Sequence, residues 1–150
     1  MTRTSIGRML AVLLPGLLFS LLARAATQQV VAITLQDPSG DSSLSGMVVK
    51  TDMPTVKAGR VTLQAVNQSK EFVHEVLVVP APPAGSELPY DTKKDTIIEK
   101  RVHSLGEISN LKPGARGKLM LNLKPGTYLL LCNQPGHYRA GMSTSLVVQK

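Results

Sequence analysis

The sequence predicts an all-β protein: an antiparallel β-sandwich of seven or eight short strands. Three observations carry that expectation. Short runs of β-branched and aliphatic residues recur along the chain, the clearest of them alternating at the period of a half-buried strand. Pro-Gly turns punctuate them at Pro113-Gly114, Pro125-Gly126 and Pro135-Gly136. Sustained helical periodicity is almost absent beyond the first residues. A length of 150 residues accommodates one domain with an adequate core.

Residues 1–25 read as a secretory signal peptide and not as part of the fold. Arg3 and Arg8 form a positive start, Met9 to Leu22 is an apolar run, and Ala23-Arg24-Ala25 matches a small-x-small cleavage site. The alternative is an uncleaved membrane anchor. The run is short for a span, which needs about 20 apolar residues. The domain is therefore expected over 26–150, in the periplasm. Three of the 17 basic residues, Arg3, Arg8 and Arg24, belong to the leader, so the mature chain is only mildly basic. Its charge is scattered, with no basic helix and no aromatic interleaving, so nucleic acid is a poor partner. An acidic protein or an anionic membrane surface is compatible with the charge.

In chain order, Gln29 to Leu35 is a β-branched strand, and Pro38 to Gly46, rich in Ser and Gly, is an exposed connection. Met47 to Lys50 is a short strand. Met47, Met53 and Met120 are assigned to ordinary packing. Arg60 to Asn67 places Val61, Leu63 and Ala65 on one face and Thr62, Gln64 and Val66 on the other. Phe72 to Val79 is the next strand, with His74 sharing a face with Phe72, Val76 and Val78. The opposite face carries Val73, Glu75, Leu77 and Val79. Pro80 to Pro89 must be loop. The charged segment 90–101 is a solvated face with a possible short helix around Thr96-Ile97-Ile98. His103 falls outside any ligand spacing and is structural or exposed. Lys118 to Leu123, Thr127 to Cys132 and Ser143 to Val148 complete the strands.

The stretch Cys132 to Met142 holds the only cysteine, spaced Cys-x4-His-x4-Met with His137 and Met142. A single cysteine in an exported chain forms no internal disulfide, and a free thiol there calls for burial, pairing with another chain, or a metal. Thiolate, imidazole and thioether make a soft donor set that suits copper better than magnesium or calcium. His74 is the best candidate for the second imidazole of a His2Cys site with a weak axial Met. A lone His on an apolar face is usually a core residue; the matching Cys, His and Met reverse that expectation here.

Val61 to Asn67, His74, Leu111 to Gly114, Lys124 to Tyr128 and Cys132 to Met142 together resemble the cupredoxins, small blue-copper proteins. The Cys–His spacing is similar to that of rusticyanin or sulfocyanin. The resemblance spans most of 29–150 and is weakest over 80–101. It implies an eight-stranded Greek-key sandwich holding one type 1 copper ion. His74, Cys132 and His137 would be equatorial ligands and Met142 the axial one. In many members Asn follows the first His ligand; here that position is Glu75. Asn67 and Asn133 would bond the sulfur or link loops. The resemblance further implies single-electron transfer between redox partners that dock on an apolar patch beside His137, where Pro135, Gly136 and Tyr138 flank the ring. The protein is expected to be a monomer.

No nucleophilic triad, paired-carboxylate signature or phosphate loop is present, and Leu131 and Asn133 flank Cys132 where a second copper centre would need histidines. Enzyme activity is therefore not expected. A copper-handling or cuproenzyme-assembly module would use the same four residues and is the alternative.

Overall fold

The computed structural model describes residues 28–37, 44 and 46–150. The leader, its cleavage site and most of the Pro38 to Gly46 connection lie outside them. Among the described residues no helix is long and apolar enough to cross a membrane.

Eleven strands are present among the described residues: β1 (Gln29–Gln36), β2 (Val48–Thr51), β3 (Thr55–Lys57), β4 (Gly59–Asn67), β5 (His74–Pro80), β6 (Tyr90–Asp91), β7 (Thr96–Ile97), β8 (Gly106–Leu111), β9 (Arg116–Leu123), β10 (Gly126–Leu131) and β11 (Ser143–Gln149). Three of these, β3, β6 and β7, are only two or three residues long, too short to show a period in sequence. The others match the expected count. One sheet has the order β2-β1-β4-β9, and the sheet facing it has the order β3-β11-β10-β5-β8.

The sheets are mixed, which corrects the expected antiparallel sandwich. β1 runs parallel to β4 and β3 runs parallel to β11. Between β1 and β4 the chain crosses to the facing sheet as β3, and it returns as β4 in the direction of β1. Alternation is the same in both directions, so the sequence carries no sign of it.

The inward positions form an aliphatic core: Val31, Ile33, Leu35, Val61, Leu63, Leu130 and Leu146 are all fully buried. β5 is buried on both faces. Val76 and Val78 join the main core, while Leu77 and Val79 join a second cluster with Leu88, Ile97 and Leu131. The segment after β5 thus folds back as a cover on the outside of the five-stranded sheet.

That cover holds the β6–β7 hairpin in place of the expected helix at Thr96 to Ile98. Asp95 takes φ 59°, which breaks a helix. Tyr90 and Asp91 pair with Ile97 and Thr96. Only a single 3-10 turn, Glu99–Arg101, follows. Met47 and Met53 pack in or against the core, but Met120 is 61% exposed. It sits at an outward position of edge strand β9, so the expected packing role does not hold for it.

Candidate metal centre

The end of β10 delivers Cys132, and residues 132–142 then close on themselves. Cys132 N donates to Met142 O at 3.0 Å, Met142 N to His137 O at 3.0 Å, and His137 N to Gln134 O at 3.0 Å. Ala140 N donates to Gly136 O and Gly141 N to Tyr138 O, each at 3.0 Å. Gly136 at φ 81° and Gly141 at φ 94° make the two left-handed turns that L side chains resist. A Cβ on Gly136 would also lie 2.6 Å from Leu44 Cδ1 and 3.1 Å from Asp95 Oδ2.

His74 opens β5 opposite Leu111, and the β5–β8 register shifts between His74 and Val76. Asn67, fully buried, fixes this corner. Its Nδ2 donates to Phe72 O at 2.8 Å and to Leu111 O at 2.7 Å, and its Oδ1 accepts from Ser69 N at 2.9 Å.

These two pieces of backbone bring His74, Cys132 and His137 together, all three buried. The two Nδ1 atoms are 3.2 Å apart, and Cys132 Sγ lies 3.7 Å from His74 Nδ1 and 3.4 Å from His137 Nδ1. Around one ion bound tetrahedrally at about 2.0 Å to nitrogen and 2.3 Å to sulfur, such atoms stand about 3.3 to 3.6 Å apart. The triangle therefore fits a single small ion, and its soft sulfur and imidazole donors fit copper. Met142 is fully buried beside them, its backbone bonded to both Cys132 and His137.

Electrostatics keep the donors uncharged without metal. Burial, followed by the neighbouring His137, lowers His74 to about 4. Burial lowers His137 as well. Burial pushes the Cys132 thiol up to about 11, although backbone N–H bonds from Gln134 and Glu75 to the sulfur pull the other way. A cation entering here would displace the thiol proton and meet two uncharged imidazoles. His74 Nε2 is buried with no hydrogen-bond partner.

Residues around the donors lock the loop. Glu75 is buried and accepts from Asn133 N at 3.2 Å and from Gln134 Nε2 at 2.9 Å. Asn133 ties in the cover: Ile97 N donates to its Oδ1 at 2.6 Å, and its Nδ2 donates to Glu99 Oε1 at 2.8 Å. Gly136 N donates to Asp95 O at 2.8 Å. Arg139 lies 4.2 Å over the Tyr90 ring, and Tyr90 OH donates to Asp95 Oδ1 at 2.6 Å. Phe72 meets His137 edge-on, with centroids 5.8 Å apart.

Asn67 and Asn133 thus link loops, one of the two roles expected of them. The structure also gives Glu75 its place, as the clamp between β5 and the ligand loop. Sequence reasoning missed Asp95, Gln134, Arg139 and the whole 90–101 cover. Asp95 had a faint signal, being a turn former between two short β-type pairs. His103 is exposed.

No protein-family model matches the chain, and no curated protein sequence does. Solved structures do. An auracyanin from the photosynthetic bacterium Roseiflexus castenholzii is 22% identical, with 84% of this chain and 99% of that one covered at a TM-score of 0.53. Auracyanin A, a blue copper protein from Chloroflexus aurantiacus, is 25% identical over 80% of this chain and 99% of its own, at 0.53. Rusticyanin from Thiobacillus ferrooxidans is 18% identical over 81% and 78%, at 0.56.

The chain has the cupredoxin fold. Within that cupredoxin sandwich the donor triangle sits at one end, where β10 runs into the ligand loop and β5 begins.

Proposed function

We propose that this cupredoxin is a type 1 copper protein carrying single electrons between redox partners in the periplasm. The observation that carries this reading is the convergence of His74 Nδ1, His137 Nδ1 and Cys132 Sγ at 3.2 to 3.7 Å in a buried pocket. Met142 supplies the fourth, weaker donor. Copper bound there supplies a one-electron couple.

The chain's own residues do the rest. The self-bonded loop, the Glu75 clamp and the Asn133 tie hold the donors in place before metal arrives, which keeps rearrangement on electron exchange small. Burial excludes water from the sulfur. His137, 5% exposed, is the donor that reaches toward the surface, between Phe72 and the Pro135-Gly136 turn. Partners dock on that apolar rim. A charge introduced beside His137 slows exchange and leaves the site's absorption intact.

The test is to add Cu(II) to the purified protein and record its visible spectrum, with Cys132→Ser as control. An intense thiolate-to-copper band, absent in the control and bleached reversibly by a mild reductant, supports the proposal. Weak, colourless binding that does not need Cys132 removes it. Slow, weak redox cycling with ready copper release points to copper handling or cuproenzyme assembly.

A further inference from the structure

Four pieces of backbone frame the edge of His137. The ligand loop carries the residue itself. Segment 69–72 sets Phe72 edge-on to its ring, with centroids 5.8 Å apart. Turn 112–115 follows Leu111, which faces His74 across β5 and β8, and there Gly114 N donates to Asn67 O at 2.8 Å. The tip of the β6–β7 hairpin reaches the ligand loop where Gly136 N donates to Asp95 O at 2.8 Å.

The exposed charge on these pieces is one-sided. Lys70, Lys93, Lys94, Lys112, Arg116 and Arg139 are all exposed, Arg116 opening β9 directly after the turn. Glu71 is the one exposed acid on the same pieces. Asp91 and Asp95 are half-buried and turn their Oδ1 atoms into the hairpin. Asp91 accepts from Lys93 N at 2.9 Å and from Lys94 N at 3.2 Å, and Asp95 accepts from Tyr90 OH at 2.6 Å. Asp37, also half-buried, lines a groove together with Lys50 and Lys70. Inside this ring of cations the exposed apolar side chains are Val73, Pro113 and Pro135.

We propose, on top of the copper electron-transfer reading, that the redox partner of this site is an acidic protein. Its carboxylates meet the ring of cations, and an apolar patch at its centre covers Val73, Pro113 and Pro135 and brings its redox group up to His137. A protein is favoured over an anionic lipid surface because exchange at His137 needs a group that gives or takes an electron, which a headgroup layer lacks. Opposite charges around a docking patch speed the encounter and set its orientation. At low salt such steering is worth about tenfold or more in rate. Four of the six cations are lysines, hydrated point charges on flexible stems, which suit the small, short-lived contacts of electron-transfer encounters.

Two redox probes of opposite charge test this on the Cu(I)-loaded protein: hexacyanoferrate(III), an anion, and tris(phenanthroline)cobalt(III), a cation. One electron passes to each probe, leaving hexacyanoferrate(II) or tris(phenanthroline)cobalt(II), and growth of the thiolate-to-copper band in stopped flow gives the rate. Raising salt from about 0.01 M to about 1 M shortens the Debye length from about 30 Å to about 3 Å. The hexacyanoferrate rate should then fall about tenfold, while the cobalt rate should rise. At low salt Lys93→Glu/Lys94→Glu and Lys112→Glu should each slow hexacyanoferrate severalfold and quicken cobalt, with the absorption band unchanged. Lys57→Glu/Lys124→Glu should do neither. Lys57 lies beside Gln29 at the start of β1, and Lys124 follows Leu123, which pairs with Gly59, both at the pole away from Asn67.

A copper-free measurement separates the two levels. Hexacyanochromate(III), paramagnetic and redox-inert, should broaden the amide signals of 70–71, 93–95, 112–116 and 136–140 in the metal-free protein and spare those of 57–60 and 124–126. Absence of a thiolate-to-copper band removes the electron-transfer reading, and the partner with it. A band that forms, with rates blind to Lys93, Lys94 and Lys112 or with ring amides broadened no more than the far pole, removes the acidic partner alone. Broadening by phosphatidylglycerol vesicles without broadening by the chromium anion overturns it in favour of a lipid surface.

Discussion

Asn67→Ala removes the side chain on which the His74 corner hangs. The substitution deletes three short bonds at a position with no solvent exposure. Phe72 O keeps the Ser69 hydroxyl at 2.8 Å, so it is the least affected. Leu111 O and Ser69 N lose the amide at buried positions. A buried polar group left without its partner costs about 1 to 3 kcal/mol, so two of them cost about 3 kcal/mol in all, a large share of the 5 to 15 kcal/mol typical of a domain. Urea unfolding of the metal-free protein measures it, with the m-value checked for constancy. Asn67→Asp should be no better, because it keeps the acceptor for Ser69 N but loses both donors and buries a charge. The corner also sets the position of Phe72 and His74, so copper affinity should fall with stability. A loss below about 1 kcal/mol in Asn67→Ala would refute the reasoning, since it would mean that water or a shifted backbone satisfies these groups at little cost.

Three further outcomes are expected. Metal-free protein should lose stability as pH falls from 6.5 to about 4: in that window the unfolded chain binds a proton at His74 that the folded chain refuses, worth about 3 kcal/mol in full. The lowered His137 adds in the same direction, the raised Glu75 carboxyl opposes, and urea midpoints that stay flat across the window would contradict the assignment. Glu75→Gln should raise the reduction potential of the copper form by removing a nearby negative charge. Because burial raises the Glu75 carboxyl, voltammetry should show that difference shrinking as pH falls; a difference independent of pH would exclude charge as the cause. Gly136→Ala forces a side chain into φ 81° and against Leu44, with an expected cost of about 1 to 3 kcal/mol and weakened copper binding. Gly141→Ala has the same φ problem but open space around its Cβ, so in parallel thermal melts it should be the milder of the two.

Much of this fold was legible because single residues spoke for themselves. The Val61, Leu63 and Ala65 alternation needed no partner to be read, and Cys132, His137 and Met142 declared themselves by spacing within one loop. His74 was legible only through the other three, since its strand gives no sign of facing a metal. What could not be read depended on contacts between segments far apart in sequence. Glu75 looked like a stray acid in an apolar strand until Asn133 and Gln134 were seen against it. Thr96 and Ile97 carry the β-branching of a strand, but two residues are too few to show a period, and flanking charges read as a solvated helix. The edge position of β9, which exposes Met120, follows from sheet order, which no local pattern encodes.

The burial of Cys132 bears on how the protein is lost. Folded, the one thiol is at zero exposure with its ionisation suppressed. Unfolded, it is an ordinary accessible cysteine with no intramolecular partner. In an oxidising medium it is then captured by a second chain or by an oxidant, and the captured chain cannot rebuild the donor triangle. An excursion to the unfolded state long enough for this capture is in that setting a loss. The lifetime of the protein is then governed by how rarely the sandwich opens, a rate, and not by how favourably it closes.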